Sequence, residues 1–391
     1  LDGELVQGGG NLNLIGGGSI GATGKLDIGT GDFNVDSTLT IGSGGTLTSG
    51  SGNVQIGGAL TLDGELVQGG GNLNLIGGGA VGATGKLDMS GAELALGGAL
   101  NITGTLAANS SSSWSGWQGT LDLSSGTLES SGGIINLNDF TTGANTTLKL
   151  SGDTKISNSN DITFGTLELA GNKLTLNSSG GLILPNALTM AAGSEIETKG
   201  NSLTHTNALQ LDLGSITSTG GTLSFAGGLT MGAQGTLDVT GSTLSVGETL
   251  DLNSGTFSSS GSSVLKLQSA TTLSSSNPVS FGSVNFEGSV LTLGSASTHL
   301  KLIDPLSLDG TTLETGAGSL TLAGAMKLQN GAELSSSGGT ITLESDNSDF
   351  FVESGSLFSI PDTDLITNNY LSFFGSTLKT KNTTFTIRDG F

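Results

Sequence analysis

A chain that carries a near-copy of itself at a fixed offset is strongly constrained, because every contact made by one copy must also be open to the other. Residues 1–28 read LDGELVQGGGNLNLIGGGSIGATGKLDI, and residues 62–89 read LDGELVQGGGNLNLIGGGAVGATGKLDM, 61 residues later. A shorter beat runs inside this block. Gly-x-Leu recurs at residues 3–5, 24–26, 45–47, 64–66, 85–87 and 104–106, in steps of 21, 21, 19, 21 and 19. The long repeat is therefore three short ones, and a period near 20 residues is the signature of a solenoid in which each repeat is one coil.

The beat also predicts the geometry of a coil. In residues 24–44 the apolar residues come in three alternating bursts, Leu26/Ile28, Phe33/Val35 and Leu39/Ile41, separated by Gly, Ser, Asp or Thr. Alternation with period two is a strand pattern, and glycine at the corners lets the backbone turn through positive φ. Stacking the coils aligns the apolar residues into four columns. These are Leu5-Leu26-Leu47-Leu66-Leu87-Leu106, Leu12-Phe33-Val54-Leu73-Leu94, Leu14-Val35-Ile56-Leu75-Leu96 and Ile20-Ile41-Leu62-Val81-Ile102. The expected fold is all-β: a right-handed parallel β-helix (β-solenoid) of about 18 coils of roughly 20–21 residues, with three short strands per coil. At about 4.8 Å per coil this is a rod on the order of 90 Å long. Asn11, Asp32, Asn53, Asn72 and Glu93 align just before the second strand as a corner ladder, and stacked asparagines add hydrogen bonds along such a stack.

Composition agrees with a solenoid better than with a linker. Glycine is 68 of 391 residues, proline only 4, and 34% of the chain is hydrophobic; a disordered Gly/Ser linker has no reason to keep apolar columns. There is no cysteine, which excludes disulfides and thiolate metal sites. The net charge of −21, from 33 acidic and 12 basic residues, opposes nucleic acid and anionic membranes as partners. No apolar run approaches the roughly 20 residues of a membrane-spanning helix. The chain has neither an initiator Met nor a signal peptide and starts in mid-repeat, so processing or excision from something longer is expected. Leu1 falls at the end of a third strand, so other sequence or another molecule should cover the first coil.

Along the chain, residues 1–103 and 193–254 keep the strictest beat, whereas 104–192 keep strand pairs with variable corners. Steps of 27 and 28 from Gly255 through Gly282 to Gly310 predict one longer corner loop. The β-solenoid is expected over 1–345. After about residue 346 aromatics crowd together: Phe350, Phe351, Phe358, Tyr370, Phe373, Phe374, Phe385 and Phe391. Open solenoid ends expose unpaired backbone and core, so 346–391 reads as aromatic-rich C-terminal coils forming a cap or a subunit interface. Leu1, Leu5, Leu12 and Leu14 at one end, with Phe373, Phe374, Phe385 and Phe391 at the other, are the candidate interface residues for end-to-end self-association.

Little in the sequence resembles a catalytic or metal centre. Glycoside cleavage needs two converging carboxylates, but the acids come singly, and the Asp32–Asp36 cluster follows the column pattern. The one arginine is Arg388. His205 aligns with Phe225 and should point inward, neutral and hydrogen-bonded, whereas His299 should face out. Calcium rolls repeat Gly-Gly-x-Gly-x-Asp-x-U-x; residues 29–35 match one unit, but its equivalents at 50–56 and 69–75 have Asn where that repeat has Asp. No catalytic residue, cofactor or metal is assigned. Trp114 and Trp117 are candidates for contact with a glycan. Being three apart, they cannot share a strand face, so at least one belongs to the core. Thr38/Thr40 and Thr46/Thr48 do not recur at one register, as an ice-binding array would require.

Gly-Gly-Thr-Leu-Thr at 44–48, Gly-Ala-Leu-Thr-Leu at 58–62 and Gly-Thr-Leu at 126–128, 165–167 and 235–237 resemble the β-helical repeats of large bacterial surface proteins. These are filamentous-haemagglutinin-like adhesins and autotransporter passengers. The likeness covers most of the chain as a pattern and transfers no site residues. It implies secretion to the bacterial surface and a non-enzymatic structural or adhesive rod, as a stalk or as a subunit of a head-to-tail filament. The partners expected are another copy end to end, or a glycan or protein of a host or neighbouring cell. The alternative from a different class is a carbohydrate-binding or polysaccharide-cleaving β-helix.

Overall fold

The computed structural model describes residues 1–387 except 90, 117–118, 139, 178, 345–349 and 368–370. The described chain is all-β with no helix, its parallel sheets stacked as a β-solenoid of about 18 turns. It divides into two compact units, Leu1–Glu197 and Thr198–Phe391.

In the first unit each coil contributes one strand to each of three faces. The first face is a ten-stranded parallel ladder from Glu4–Val6 to Ala187–Thr189. The second runs through six strands, from Leu12–Leu14 to Ser113–Gly116, and the third through seven, from Gly18–Ile20 to Phe140–Thr141. All four predicted columns are in register. Leu5 pairs with Leu26, Leu26 with Leu47, Leu47 with Leu66, Leu66 with Leu87 and Leu87 with Leu106. Phe33, Val54, Leu73, Ile56 and Leu75 have no exposed surface. Parallel in-register stacking puts each aliphatic side chain on another one coil spacing away, so the core is continuous although each coil buries little alone.

Two devices hold the corners. The polar ladder forms as expected from Asn11 to Asn72, whereas the Glu93 N–H goes to the Gly71 carbonyl at 3.0 Å. Asn11 Oδ1 accepts the Asp32 backbone N–H (3.3 Å), Asp32 Oδ1 accepts that of Asn53 (2.9 Å), and Asn53 Oδ1 that of Asn72 (3.0 Å). Beside it the coils approach too closely for a side chain. A Cβ on Gly52 would lie 2.0 Å from the Gly31 carbonyl oxygen, so glycine is required there for contact between backbones as well as for turning.

Beyond Ala108 the stack changes on two faces. The second face resumes with Gly133–Asn136, Thr154–Ser157, Lys173–Leu176 and Glu195–Glu197, paired in that order. The third resumes with Ile162–Thr163 on Leu182–Leu184. The first face runs on unbroken, Leu106 to Leu128 to Leu148 to Leu167 to Leu188. The irregular corners of 104–192 thus interrupt two ladders and leave the third intact.

In the second unit several strands run through a corner. Leu209–Thr217, Leu229–Asp238, Thr243–Asp251 and Val264–Ser274 each serve two faces. The bend is taken up by register shifts between Leu211 and Leu213 and between Val246 and Glu248, with Glu248 at φ 57°. The expected longer corner between Gly255 and Gly310 is there but shorter than steps of 27 and 28 imply. Leu265 pairs with Val284 and Leu300 with Leu320, offsets of 19 and 20. The extra length amounts to two residues at the 268–270 corner, where the offset rises from 21 (Val246 on Leu267) to 23 (Glu248 on Thr271). Gly282 and Gly310 misled because they occupy different corners from Gly255. Later coils pass residue 346 in the same ladders: Leu334 on Phe358 on Leu378, and Ile341 on Leu365 on Phe385.

Candidate functional site

The interruption of the third face opens a place in the first unit where several chemistry-bearing side chains meet a cleft. Phe140–Thr141 pairs backward with Leu121–Asp122, and Ile162–Thr163 pairs forward with Leu182–Leu184. No pairing joins Phe140–Thr141 to Ile162–Thr163 among the described residues. Between these two strands lies a cleft of about 280 Å³, lined by Asn138, Phe140, Thr142, Asn160, Asp161 and their neighbours.

The sequence explains why the ladder parts here. The two corners, Asn136–Asn138 and Ser157–Asp161, are rich in Asn, Asp and Ser, whose side chains compete with the ladder for backbone groups. Asn136 Oδ1 accepts the Asn138 N–H at 3.0 Å. Asn138 Oδ1 accepts both the N–H (2.6 Å) and the hydroxyl (2.9 Å) of Ser159. The buried Asn158 amide donates to the Asn160 carbonyl, and Asp161 Oδ1 accepts the Gly181 N–H at 2.7 Å. Side chains hold these corners in place of strand pairing.

Those bonds leave polar groups over. Among the described residues no protein partner is found for the Asn138 Nδ2, the Asn160 side-chain amide, the Thr142 hydroxyl or the second oxygen of Asp161. Phe140 stands in an inward column above Leu121, yet is only half-buried because nothing pairs beyond it. Trp114 packs edge-on against it, with ring centroids 5.1 Å apart at 82°. Donors, acceptors and one half-buried aromatic residue therefore line a single cleft.

Trp114 extends the column of Leu12, Phe33, Val54, Leu73 and Leu94, in register with Leu94, so its place is in the stack, behind Phe140. Trp117 and Phe391 lie outside the described residues. Leu1 and Leu5 are 44% and 43% exposed, and Leu12 and Leu14 are half-buried, whereas Leu47 in Leu5's column is fully buried. In the last coils Phe350 and Phe358 are buried and pack at 5.0 Å. Phe373 packs on both at 6.1 and 6.4 Å, and is half-buried. Phe374 stacks on Phe351 at 6.3 Å while 59% exposed, and Phe385 is 43% exposed.

His205 is buried in register with Phe225, as expected from their alignment, and half-buried His299 bonds through Nε2 to the Thr321 hydroxyl at 2.8 Å. Asp32, in the calcium-like segment, gives Oδ1 to Asn53, both to its backbone and to its side-chain amide. No group of three or more His, Cys, Asp or Glu side chains is placed to hold a metal ion among the described residues.

Sequence reasoning missed the cleft because it followed the aliphatic beat, which continues through it. A signal was available in the run Ser157-Asn-Ser-Asn-Asp161, five residues of local hydrogen-bond formers where other coils have glycine. Compared with known proteins, the chain is matched by no family model, no curated protein and no solved structure.

Proposed function

We propose that this chain is a non-enzymatic structural and adhesive solenoid displayed on or outside a bacterial cell. The observation that carries the reading is the unbroken in-register column from Leu5 to Leu106 through a 61-residue duplication. A stack of that kind adds about 4.8 Å per coil without needing a new core. Its stiffness comes from backbone ladders and stacked aliphatics and requires neither metal nor disulfide, which suits a scaffold outside the cell. The adhesin-like repeat pattern supports the location. The outward positions carry Asn, Gln, Thr and Ser, with Asn34 Nδ2 donating to Asn13 Oδ1 at 2.8 Å. Such faces are hydrated and ordered, and suited to contact without chemistry.

End-to-end self-association is part of this reading. A further coil on Leu1 and Leu5, supplied by a second copy, would bury aliphatic surface and pair the free edge of Glu4–Val6, and a heterologous contact of this kind extends without closing. Protease shaving of intact producing cells tests the location: release of the chain's peptides supports it, and protection until lysis refutes it. Electron microscopy tests the scaffold. Elongated particles or filaments support it, and globular particles refute it.

A further inference from the structure

We propose that the cleft between Phe140–Thr141 and Ile162–Thr163 is a binding site for a single ring of a neutral glycan. The inference deepens the adhesive part of the reading above and rests on it. Three observations point to this ligand class. First, the cleft is about 280 Å³, at the small end of ligand pockets, which suits one sugar ring with the rest of a chain in solvent. Second, its lining pairs an aromatic with groups that both donate and accept. The amides of Asn138 and Asn160 donate, Asp161 accepts through its second oxygen, and the Thr142 hydroxyl does either. Sugar hydroxyls need that mixture, since each both gives and takes a hydrogen bond. Phe140, braced by the edge-on Trp114, offers the apolar surface that the C–H face of a pyranose requires. Third, no cation lines the cleft among the described residues, Asp161 is an acid, and the chain carries −21. Acidic sugars are therefore disfavoured electrostatically.

The site is preorganised. Asn138 is fixed by Ser159 and Asp161 by Gly181, so ordering these side chains costs little on binding. The proposal moves the expected aromatic contact from Trp114 and Trp117 to Phe140, with Trp114 behind it.

The test is a glycan array probed with the full chain, followed by calorimetric titration of each positive glycan. Asn160→Ala removes an exposed side chain but keeps the backbone carbonyl that Asn158 uses, and Asn160→Trp fills the cleft. Thr61→Ala on the outer third face serves as control. Expected are binding of neutral hexose-containing glycans, a loss of about tenfold or more for Asn160→Ala and abolition by Asn160→Trp. Thermal melting and the Thr61→Ala control should be unchanged. Absence of neutral-glycan binding at millimolar concentration by saturation-transfer NMR would overturn the proposal. So would preference for acidic glycans, calcium alone titrating the site, or binding that survives Asn160→Trp. Survival of that kind would leave an adhesive solenoid with a different contact, whereas protection from protease on intact cells would remove the surface reading itself.

Discussion

Thr146 is fully buried at a corner, and its hydroxyl bridges two coils. It accepts the Gly143 N–H at 2.9 Å and donates to the Leu123 carbonyl, one coil back, at 2.6 Å. Thr146→Val keeps the shape and removes both bonds. The Leu123 oxygen retains the Gly126 N–H at 3.2 Å, so the orphaned group is the half-buried Gly143 N–H. Losing one such partner costs about 1–3 kcal/mol, and a methyl replaces a hydroxyl that sat at hydrogen-bond distance from a carbonyl. In a solenoid each coil is stabilised by its neighbours, so the loss should be local. Hydrogen exchange should show amides of Thr127–Ser130, Thr147–Leu150 and Thr166–Glu168 exchanging roughly 5- to 150-fold faster, the kinetic equivalent of that energy. Lys25–Asp27 and Phe33–Val35 should be unchanged, and Thr146→Ser should restore protection. If valine and serine behave alike, the hydroxyl bridge does not hold the corner. If exchange accelerates evenly throughout the first unit, the nearest-neighbour account fails.

Leu66→Ala, at a fully buried position between Leu47 and Leu87, should cost about 2–5 kcal/mol in guanidinium unfolding; half-buried, outward-facing Val67→Ala should stay within about 0.5 kcal/mol. Gly52→Ala drives a Cβ to within 2.0 Å of the Gly31 carbonyl oxygen, backbone against backbone, and should cost about 1–3 kcal/mol as overpacking, seen as a lower melting temperature. Lys173 is held above its ordinary pKa of 10.5 by hydrogen bonds to Glu195 and then Glu197, with burial opposing. A raised folded pKa gives stability that is complete below the unfolded value and disappears as pH rises through the folded one. Lys173→Met should therefore cost a constant amount between about pH 6 and 9, under about 1 kcal/mol because the pair is a third exposed. The difference from wild type should close above pH 10.5.

The strands, columns and corner ladder of the first unit were legible because stacking turns a three-dimensional contact into a one-dimensional offset: Leu26 meets Leu47 because they are 21 apart. Less legible was anything that depends on which corner a residue occupies. The glycine beat overstated the extra length between 255 and 310, since a glycine marks a close approach without saying which corner it occupies. The buried hydroxyl bridges were also hidden. Ser112, Thr146 and Ser263 each accept an N–H from the residue three before and donate to a carbonyl one coil back. In sequence they look like any Ser or Thr of a soluble surface. The signal is a hydroxyl two residues before an inward apolar residue, as in Ser112-Ser-Trp114, Thr146-Thr-Leu148 and Ser263-Val-Leu265. The cleft was hidden for a related reason, because Asn and Asp form corner ladders in regular coils and replace them in the irregular one.

Aliphatic columns explain why coils stack but not why they stack in one order, since leucine packs on leucine at any coil, and the 61-residue duplication sharpens the ambiguity. The outward column of the first face supplies the missing information. It reads Glu4, Lys25, Thr46, Glu65, Lys86, Thr105, each in register with the next. Opposite or neutral groups meet at every step, and Lys86 lies 3.3 Å from Glu65 and 3.3 Å from Asp88. Skipping the second coil would set Glu4 against Thr46 and lose the Glu4–Lys25 step, and skipping the fourth would set Thr46 against Lys86 and lose the Glu65–Lys86 pair. Lys86→Glu tests whether charge fixes the order. It sets like charges one above another at about 4.8 Å and beside Asp88, which should cost roughly 0.2–1 kcal/mol and shrink as salt screens the surface. Glu65→Lys in the same chain exchanges the pair and should recover most of the Glu65–Lys86 contribution, leaving the Asp88 contact as the residue. A single variant as stable as wild type at low salt would mean that glycine contacts such as Gly52 on Gly31, not charge, hold the coils in sequence.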